Sequence, residues 1–345
     1  MVLESWMTPT LFNQNGVPGG SGEWQFTQQL GKSRSQQVLQ AHWDSWVSFG
    51  ELQKLAQHGI THLRVPVGYW IVSIEPGEPF VYGGMDYLKR LLGWAQSLNL
   101  KVLIDLHGAP GSQNGHDNSG KTGPIEWQQP QNVARSISVI ANITKQLLGY
   151  PAVTGVELLN EPWTTSIGGP IQFSTLKDYY TRAYAAVRAT GFTGDIVIPD
   201  GWDNNQWNGF MSPPDYYNVY LDTHLYHCFG GDRDKSAPYA NIDYTCQQDK
   251  PMLAGLTQRD WTIVGEWSNA VSQPPSGGDY NSFMGSFTRA QWSAYGASGT
   301  EAGAGPAKGG YFWSMKIENG DASWCYLCGI DAGVMPGDFS FEFCQ

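Results

Sequence analysis

Gly155-Val-Glu-Leu-Leu-Asn-Glu-Pro-Trp163 is an apolar run that finishes on an amide, a carboxylate and a helix breaker. A carboxylate there is costly if buried and has no evident purpose if merely solvated. Pro162 stops a strand and fixes the departure of the loop that follows, which leaves Asn160 and Glu161 as the last side chains of the strand. Trp163 either packs beside them or belongs to the core.

Six other runs share this character: THLRVPVGY from Thr61, KVLIDLHG from Lys101, DIVIPDG from Asp195, VYLDTHLYH from Val219, TIVGEWS from Thr262 and GGYFWSMK from Gly309. VLES at the start is one more candidate. Amphipathic stretches separate them, and the spacing predicts helices over His42 to His58, Met85 to Leu98, Asn132 to Leu148, Ser174 to Ala189 and Asn281 to Ala297. Weaker helical signals surround Gln206 and Thr245. Eight strand signals with intervening helices predict an α/β fold, a single (β/α)8 barrel. A doubly wound sheet would carry a glycine-rich phosphate turn after its first strand, and none is present. With no internal repeat and no long linker, residues 1–345 read as one catalytic domain.

The 345 residues are comfortable for one barrel, and 41% apolar against 15% charged residues supply an ample core. Fifteen Trp and 17 Tyr suit a site that stacks flat, hydroxylated faces as well as a core. A formal charge of −11 argues against a nucleic-acid partner, whose phosphates call for a basic patch. No apolar run approaches the length of a membrane helix. Met1 leads into VLESW without a basic region or cleavage site, so the expectation is either an intracellular protein or a chain that starts downstream of a signal. Of the five cysteines, at least one stays unpaired if the rest form disulfides, and the pairing is not legible. Cys325-x-x-Cys328 is weak as a zinc site without a second pair. Asn142-Ile143-Thr144 is a glycosylation sequon that matters only in a secreted chain.

Polar groups recur at the ends of the strand-like runs: Arg64, then Asp105 and His107, Asn160 and Glu161, Asp200, His224 and Tyr226, Glu266, and Trp313. In a barrel these ends converge on one rim, where the active site is built. The long loops Gly108 to Pro124 and Ser272 to Phe283 rise from the same face. Glu161 and Glu266 are the natural pair for cleaving a glycosidic bond, one carboxyl group protonating the leaving oxygen while the other attacks or activates water. Taken singly, each residue has an ordinary structural reading, and the joint pattern carries the functional one. His224-x-x-His227 is no metal motif on a strand, because the two side chains point to opposite faces.

HLRVPVGYW, DLHGAPGSQNGHDNSG, LLNEPW, HLY, VGEWS and YFWSMK together resemble glycoside hydrolase family 5, and within it the fungal exo-β-1,3-glucanase branch. The resemblance extends from VLESWMTPTLF to Cys344. It implies Glu161 as acid/base and Glu266 as nucleophile, with Asn160 on the sugar 2-hydroxyl. Arg64 and Tyr226 would orient Glu266, and His107 and His224 would bind hydroxyls or support the carboxylates. Trp313 would form the platform beneath the innermost sugar. Glu4 and Asn118 match positions that hold the terminal glucose, and Trp127 and Phe229 fall near an aromatic entrance clamp. The implied substrate is β-1,3-glucan or laminari-oligosaccharides, cleaved with retention from the non-reducing end by a monomer, with neither metal nor organic cofactor. An endo-acting glucanase and an inactive glucan-binding protein of the same fold are the alternatives. The branch's glycine-rich lead-in before Val-Leu-Glu is missing, which against the resemblance implies a (β/α)8 barrel with a truncated first strand and bears on Glu4, and members of the branch are commonly secreted.

Overall fold

The computed structural model describes residues 2–257, 261–295, 307–339, 343 and 344. Among them are seven strands: β1 (His62–Gly68), β2 (Lys101–Gly108), β3 (Val153–Glu157), β4 (Asp195–Pro199), β5 (Val219–His227), β6 (Thr262–Val271) and β7 (Gly310–Phe312). All seven interior runs of the sequence become strands, and their order in the sheet is the order of the chain. VLES does not become one: among the described residues its ladder contact is an isolated antiparallel bridge between Glu4 and Gly22.

The chain packs as two compact units. One comprises Met1–Ala56, Thr61–Gln206 and Pro213–Val219, the other Gln57–Ile60, Trp207–Ser212 and Tyr220–Gln345. In the first, β1, β2, β3 and β4 pair in parallel, with Val65 opposite Ile104, Asp105 opposite Glu157 and Val156 opposite Ile196. Helices Gly84–Ser97, Pro130–Leu147 and Phe173–Ala189 make the crossovers that parallel pairing requires. In β2 every residue after Lys101 is buried, the pattern of a strand covered on both faces. A satellite core of Leu3, Phe12, Val17, Phe26, Leu39 and Val81 anchors the N-terminal segment.

In the second unit β5 pairs with β6, His224 lying opposite Glu266, and β6 pairs with β7. All ten residues of β6 are buried. The connection from β5 runs through helix Pro238–Tyr244, a π-helical turn Thr245–Asp249 and helix Lys250–Thr257, so the faint signal around Thr245 is a real helical segment. The signal around Gln206 is only a 3-10 turn, Asn204–Trp207. Helix Asp279–Ala294 packs Phe283, Met284, Phe287 and Ala290 against Ile242, Val271 and Val334. Cys246 bonds to Cys344 and Cys325 to Cys328, leaving Cys228 as the free thiol. Cys325-x-x-Cys328 is therefore a disulfide here.

Two expectations about helices change. The stretch from His42 to His58 is the end of one helix, Glu23–Trp46, and a separate one, Phe49–Gln57. Val47 is extended, and Ser48 opens the second helix with a capping box: Glu51 Oε2 accepts from the Ser48 amide at 2.8 Å, while Ser48 Oγ accepts from the Glu51 amide at 3.3 Å. The helix from Glu23 escapes a reading by periodicity because Gly31, at φ 70°, breaks it in two. Ala297, the expected end of the last long helix, lies outside the described residues, and the observed helix stops at Ala294.

Candidate active site

Arg64 is the hub of the first unit's polar cluster. From β1 its Nε donates to Glu157 Oε2 at 2.7 Å and its Nη2 to Glu157 Oε1 at 2.9 Å and Asn160 Oδ1 at 2.8 Å. Asp105 Oδ2 stands 3.1 Å from the same Nη2. All of these side chains are essentially buried, so the two carboxylates need the guanidinium to remain ionised and the guanidinium needs them. The fork geometry of arginine holds the Glu157 carboxylate from two atoms at once. Through this pairing Asn160 is oriented by its oxygen.

His107, at the end of β2, sets its Nδ1 2.6 Å from Asp105 Oδ2 and its Nε2 3.9 Å from Glu4 Oε1. Glu4 is itself buried and accepts from the Trp6 indole at 2.7 Å. Glu4 thus reaches the end of β2 without any strand beneath it.

The loop after β2 is pinned from within. Gln113, fully buried, donates to the carbonyls of His107 and Asn160 and accepts from the Ala109 amide. Gly120, at φ 80°, lies where a Cβ would run into the Trp70 ring, so the loop can close on that indole only with glycine there. Farther along, Asn114 donates to Asn118 Oδ1 at 2.9 Å, and Asn118 Nδ2 donates to Glu161 Oε2 at 2.9 Å.

Glu161 sits four residues beyond the end of β3, at φ 41°. A non-glycine residue in the left-handed region carries strain of order 1–3 kcal/mol, retained where the surroundings over-determine it. His116 packs edge-on to Trp163 at 4.8 Å, and Trp163 meets Trp202 at 6.3 Å, so Trp163 belongs to an aromatic strip.

In the second unit Glu266 occupies the middle of β6, only 5% exposed. Tyr226 donates its hydroxyl to Glu266 Oε2 at 2.8 Å, and His224 Nδ1 lies 3.6 Å from the same oxygen. His224 Nε2 is 3.2 Å from Asp222 Oδ2, whose other oxygen accepts from the Gly265 amide. The buried Asp222 favours a tautomer with the proton on Nε2 and holds the ring. A side chain at Gly265 would collide with that carboxylate. His227 lies on the other side of β5, against Asn241, Thr245 and Asp249, which separates it from His224 as strand geometry requires.

Phe229 is 74% exposed and stands beside Tyr226 at 5.2 Å and Trp324 at 6.2 Å. Trp313 is half-buried after β7, its amide donating to the Trp267 carbonyl. Trp127 must be corrected. It is 0% exposed, donates its indole to Ser136 and packs edge-on to Tyr179, so it is a core residue and no part of an entrance clamp. Glu157, Asp222, Gln113 and Trp324 are members of these clusters that sequence reading passed over.

The family model described as Cellulase (glycosyl hydrolase family 5) matches residues 31–269, which contain both Glu161 and Glu266. The chain belongs to glycoside hydrolase family 5. This family 5 chain is 38% identical, over 79% of its length, to the probable glucan 1,3-beta-glucosidase A of Aspergillus niger, and it spans less than two thirds (64%) of that relative. It is 32% identical to the protein of the same name from Aspergillus terreus, over 97% of this chain and 85% of the relative. Among solved structures, rutinosidase from Aspergillus niger superposes with a TM-score of 0.80 over 96% of this chain and 94% of its own, at 22% identity. That likeness concerns the fold, and it agrees with the seven parallel strands: the fold is a (β/α)8 barrel. Among the described residues no helix is long and apolar enough to cross a membrane.

Proposed function

We propose that this family 5 chain is a retaining β-glucosidase that acts on β-1,3-glucan and releases glucose from the non-reducing end. The observation that carries the reading is the support given to two acids in a family 5 chain: Glu266 held by Tyr226 and His224, and Glu161 held by Asn118 on the Asn-Glu-Pro turn. Glu266 attacks the anomeric carbon while Glu161 protonates the departing glycosidic oxygen, so the C–O bond breaks as a glycosyl ester forms. Glu161, now ionised, takes a proton from water, whose oxygen displaces Glu266 and restores the β configuration. Asn160, oriented by Arg64, donates to the sugar 2-hydroxyl, a contact that strengthens as positive charge grows on the ring.

Glu4, His107 and Asn118 hold hydroxyls of the terminal glucose, Trp313 lies beneath it, and Phe229 with Trp324 stacks on the next residue. His224 and Tyr226 hold the nucleophile. The likeness to chains named glucan 1,3-beta-glucosidase supports the linkage and the exo direction. Residues 1–345 serve as a single catalytic domain, acting as a monomer. The two disulfides fit an oxidising compartment, which supports a secreted protein.

Timed product analysis with laminarin, run beside Glu266→Gln, tests the proposal. Glucose as the first product, absent with the variant, is the expected result. Larger oligosaccharides appearing first would overturn the exo direction. Binding without turnover by a folded wild-type chain would overturn the enzyme.

A further inference from the structure

A cavity of about 420 Å³ lies between helices Glu23–Trp46 and Gly84–Ser97. Its volume falls within the roughly 300–1,000 Å³ of small-molecule pockets. Gln36, Gln40, Trp43 and Asp44 line it from the first helix, at spacings that put them on one face; Asp86, Tyr87 and Arg90 line it from the second. None of these residues belongs to the clusters around Glu161 or Glu266.

The lining is selective in its chemistry. Trp43 and Tyr87 meet at 5.6 Å with their rings tilted by 50°, and neither is buried. Arg90 lies over Tyr87 at 4.6 Å, donates to Asp44 at 3.2 Å and to the Trp43 carbonyl at 3.0 Å. Its charge is thereby engaged, and Asp86 adds a second carboxylate, so the cavity does not suit an anion. Gly83, at φ 132°, stands where a Cβ would press on the Trp43 ring, so the cavity keeps its shape only with glycine there. No aliphatic side chain lines the cavity.

Aromatic faces for the C–H surface of a pyranose, amides that both donate and accept, and carboxylates that accept from hydroxyl pairs describe a site for a neutral saccharide. We infer that this cavity is a second saccharide-binding site, separate from the catalytic residues, which holds a segment of a glucan chain. The saccharide class rests on the cavity; the β-1,3 linkage of the segment rests on the proposed activity. A second holding point on a polymer raises the effective concentration of chain ends without altering the chemistry.

Calorimetric titration of Glu266→Gln with laminaripentaose tests the inference, because that background binds without turnover. Two binding sites are expected, and the second is lost when Gln40→Ala and Asp86→Asn are added. Trp43→Ala is expected to do the same, but Trp43 also packs on the N-terminal core, so the polar double variant, with its Tm compared to that of the parent, keeps the test clean. Unchanged stoichiometry in a folded double variant would overturn the inference. So would displacement of the second isotherm by 1,5-diaminopentane, which would mark an amine site on the aromatic and acidic groups. If the wild-type chain releases no sugar from laminarin while the pocket variants still lose a site, the catalytic reading falls and the saccharide site stands.

Discussion

Glu266 and Glu161 carry the same side chain on different kinds of backbone. Glu266 is fixed within a fully buried strand and is met by a phenol and an imidazole, the imidazole braced in turn by Asp222. Glu161 stands past the end of its strand in a left-handed conformation, where the amide of Asn118, carried on a loop, donates to it. A nucleophile must hold one orientation, and the Tyr226 hydroxyl that donates to its oxygen fixes that orientation. An acid/base must pass a proton out and back, which a neutral amide permits and a fixed cation would oppose. The difference in backbone and in these hydrogen bonds is in keeping with the proposed roles, Glu266 as nucleophile and Glu161 as acid/base.

The most drastic way to break the contrast is to remove each acid. Glu266→Ala is expected to lose on the order of 10⁴-fold or more in kcat on every substrate, because no covalent path remains. Glu161→Ala is expected to lose about 10²–10⁴-fold on laminari-oligosaccharides. It should lose far less on an aryl β-glucoside whose phenolate leaves unassisted. Comparing kcat for the two substrate types checks this; equal losses on both by Glu161→Ala would make the two acids equivalent.

Arg64→Met tests the scaffold instead. It leaves Glu157 and Asp105 buried without their counter-ion, and chemical denaturation at pH 7 should show a loss of about 3–5 kcal/mol. A stability indistinguishable from wild type would show that the cluster does not depend on its arginine.

Glu23 sharpens the comparison from another side, as an acid whose burial outweighs the hydrogen bonds made to it. Burial raises its pKa from 4.5 to about 7, against the opposing hydrogen bond from the Trp70 indole. The folded chain therefore binds more protons here than the unfolded one, and stability falls as pH rises from about 4.5 through 7. Over that window the loss is on the order of 3 kcal/mol. Glu23→Gln should match wild type in thermal unfolding near pH 4.5 and exceed it at pH 8; parallel curves at both values would contradict the account.

Smallest is Tyr226→Phe, which removes one hydrogen bond to a charged oxygen, worth about 1.5–3 kcal/mol. A fall of about 10–100-fold in kcat/KM is expected from steady-state kinetics on laminari-oligosaccharides, and an unchanged kcat/KM would show that the phenol does not hold Glu266.

The strands were legible because each interior run is apolar and bounded by turns, and the rim residues were legible because they end those runs. What escaped depends on partners remote in sequence. Glu157 looks anomalous inside GVELLNEP until Arg64, 93 residues earlier, is seen to hold it. Asn118 reaches Glu161 across 43 residues through a loop whose course periodicity does not describe. Trp127 misleads because a Trp after a long polar loop reads as exposed, whereas Ser136 and Tyr179 close over it. The helix break at Val47 is a different matter. Ser48-Phe-Gly-Glu51 is a capping box in plain sequence, and local chemistry alone was enough to find it.

The most direct test of the central claim is to trap the intermediate with 2-deoxy-2-fluoro-β-glucosyl fluoride and locate the label by peptide mass spectrometry. The fluorine slows both steps by opposing positive charge on the ring, while the fluoride leaving group lets the first proceed. One fluoroglucosyl ester is expected, on the peptide that contains Glu266, with slow loss on transfer to water. A label on Glu161, or turnover of laminarin to α-glucose with no covalent adduct, would contradict it.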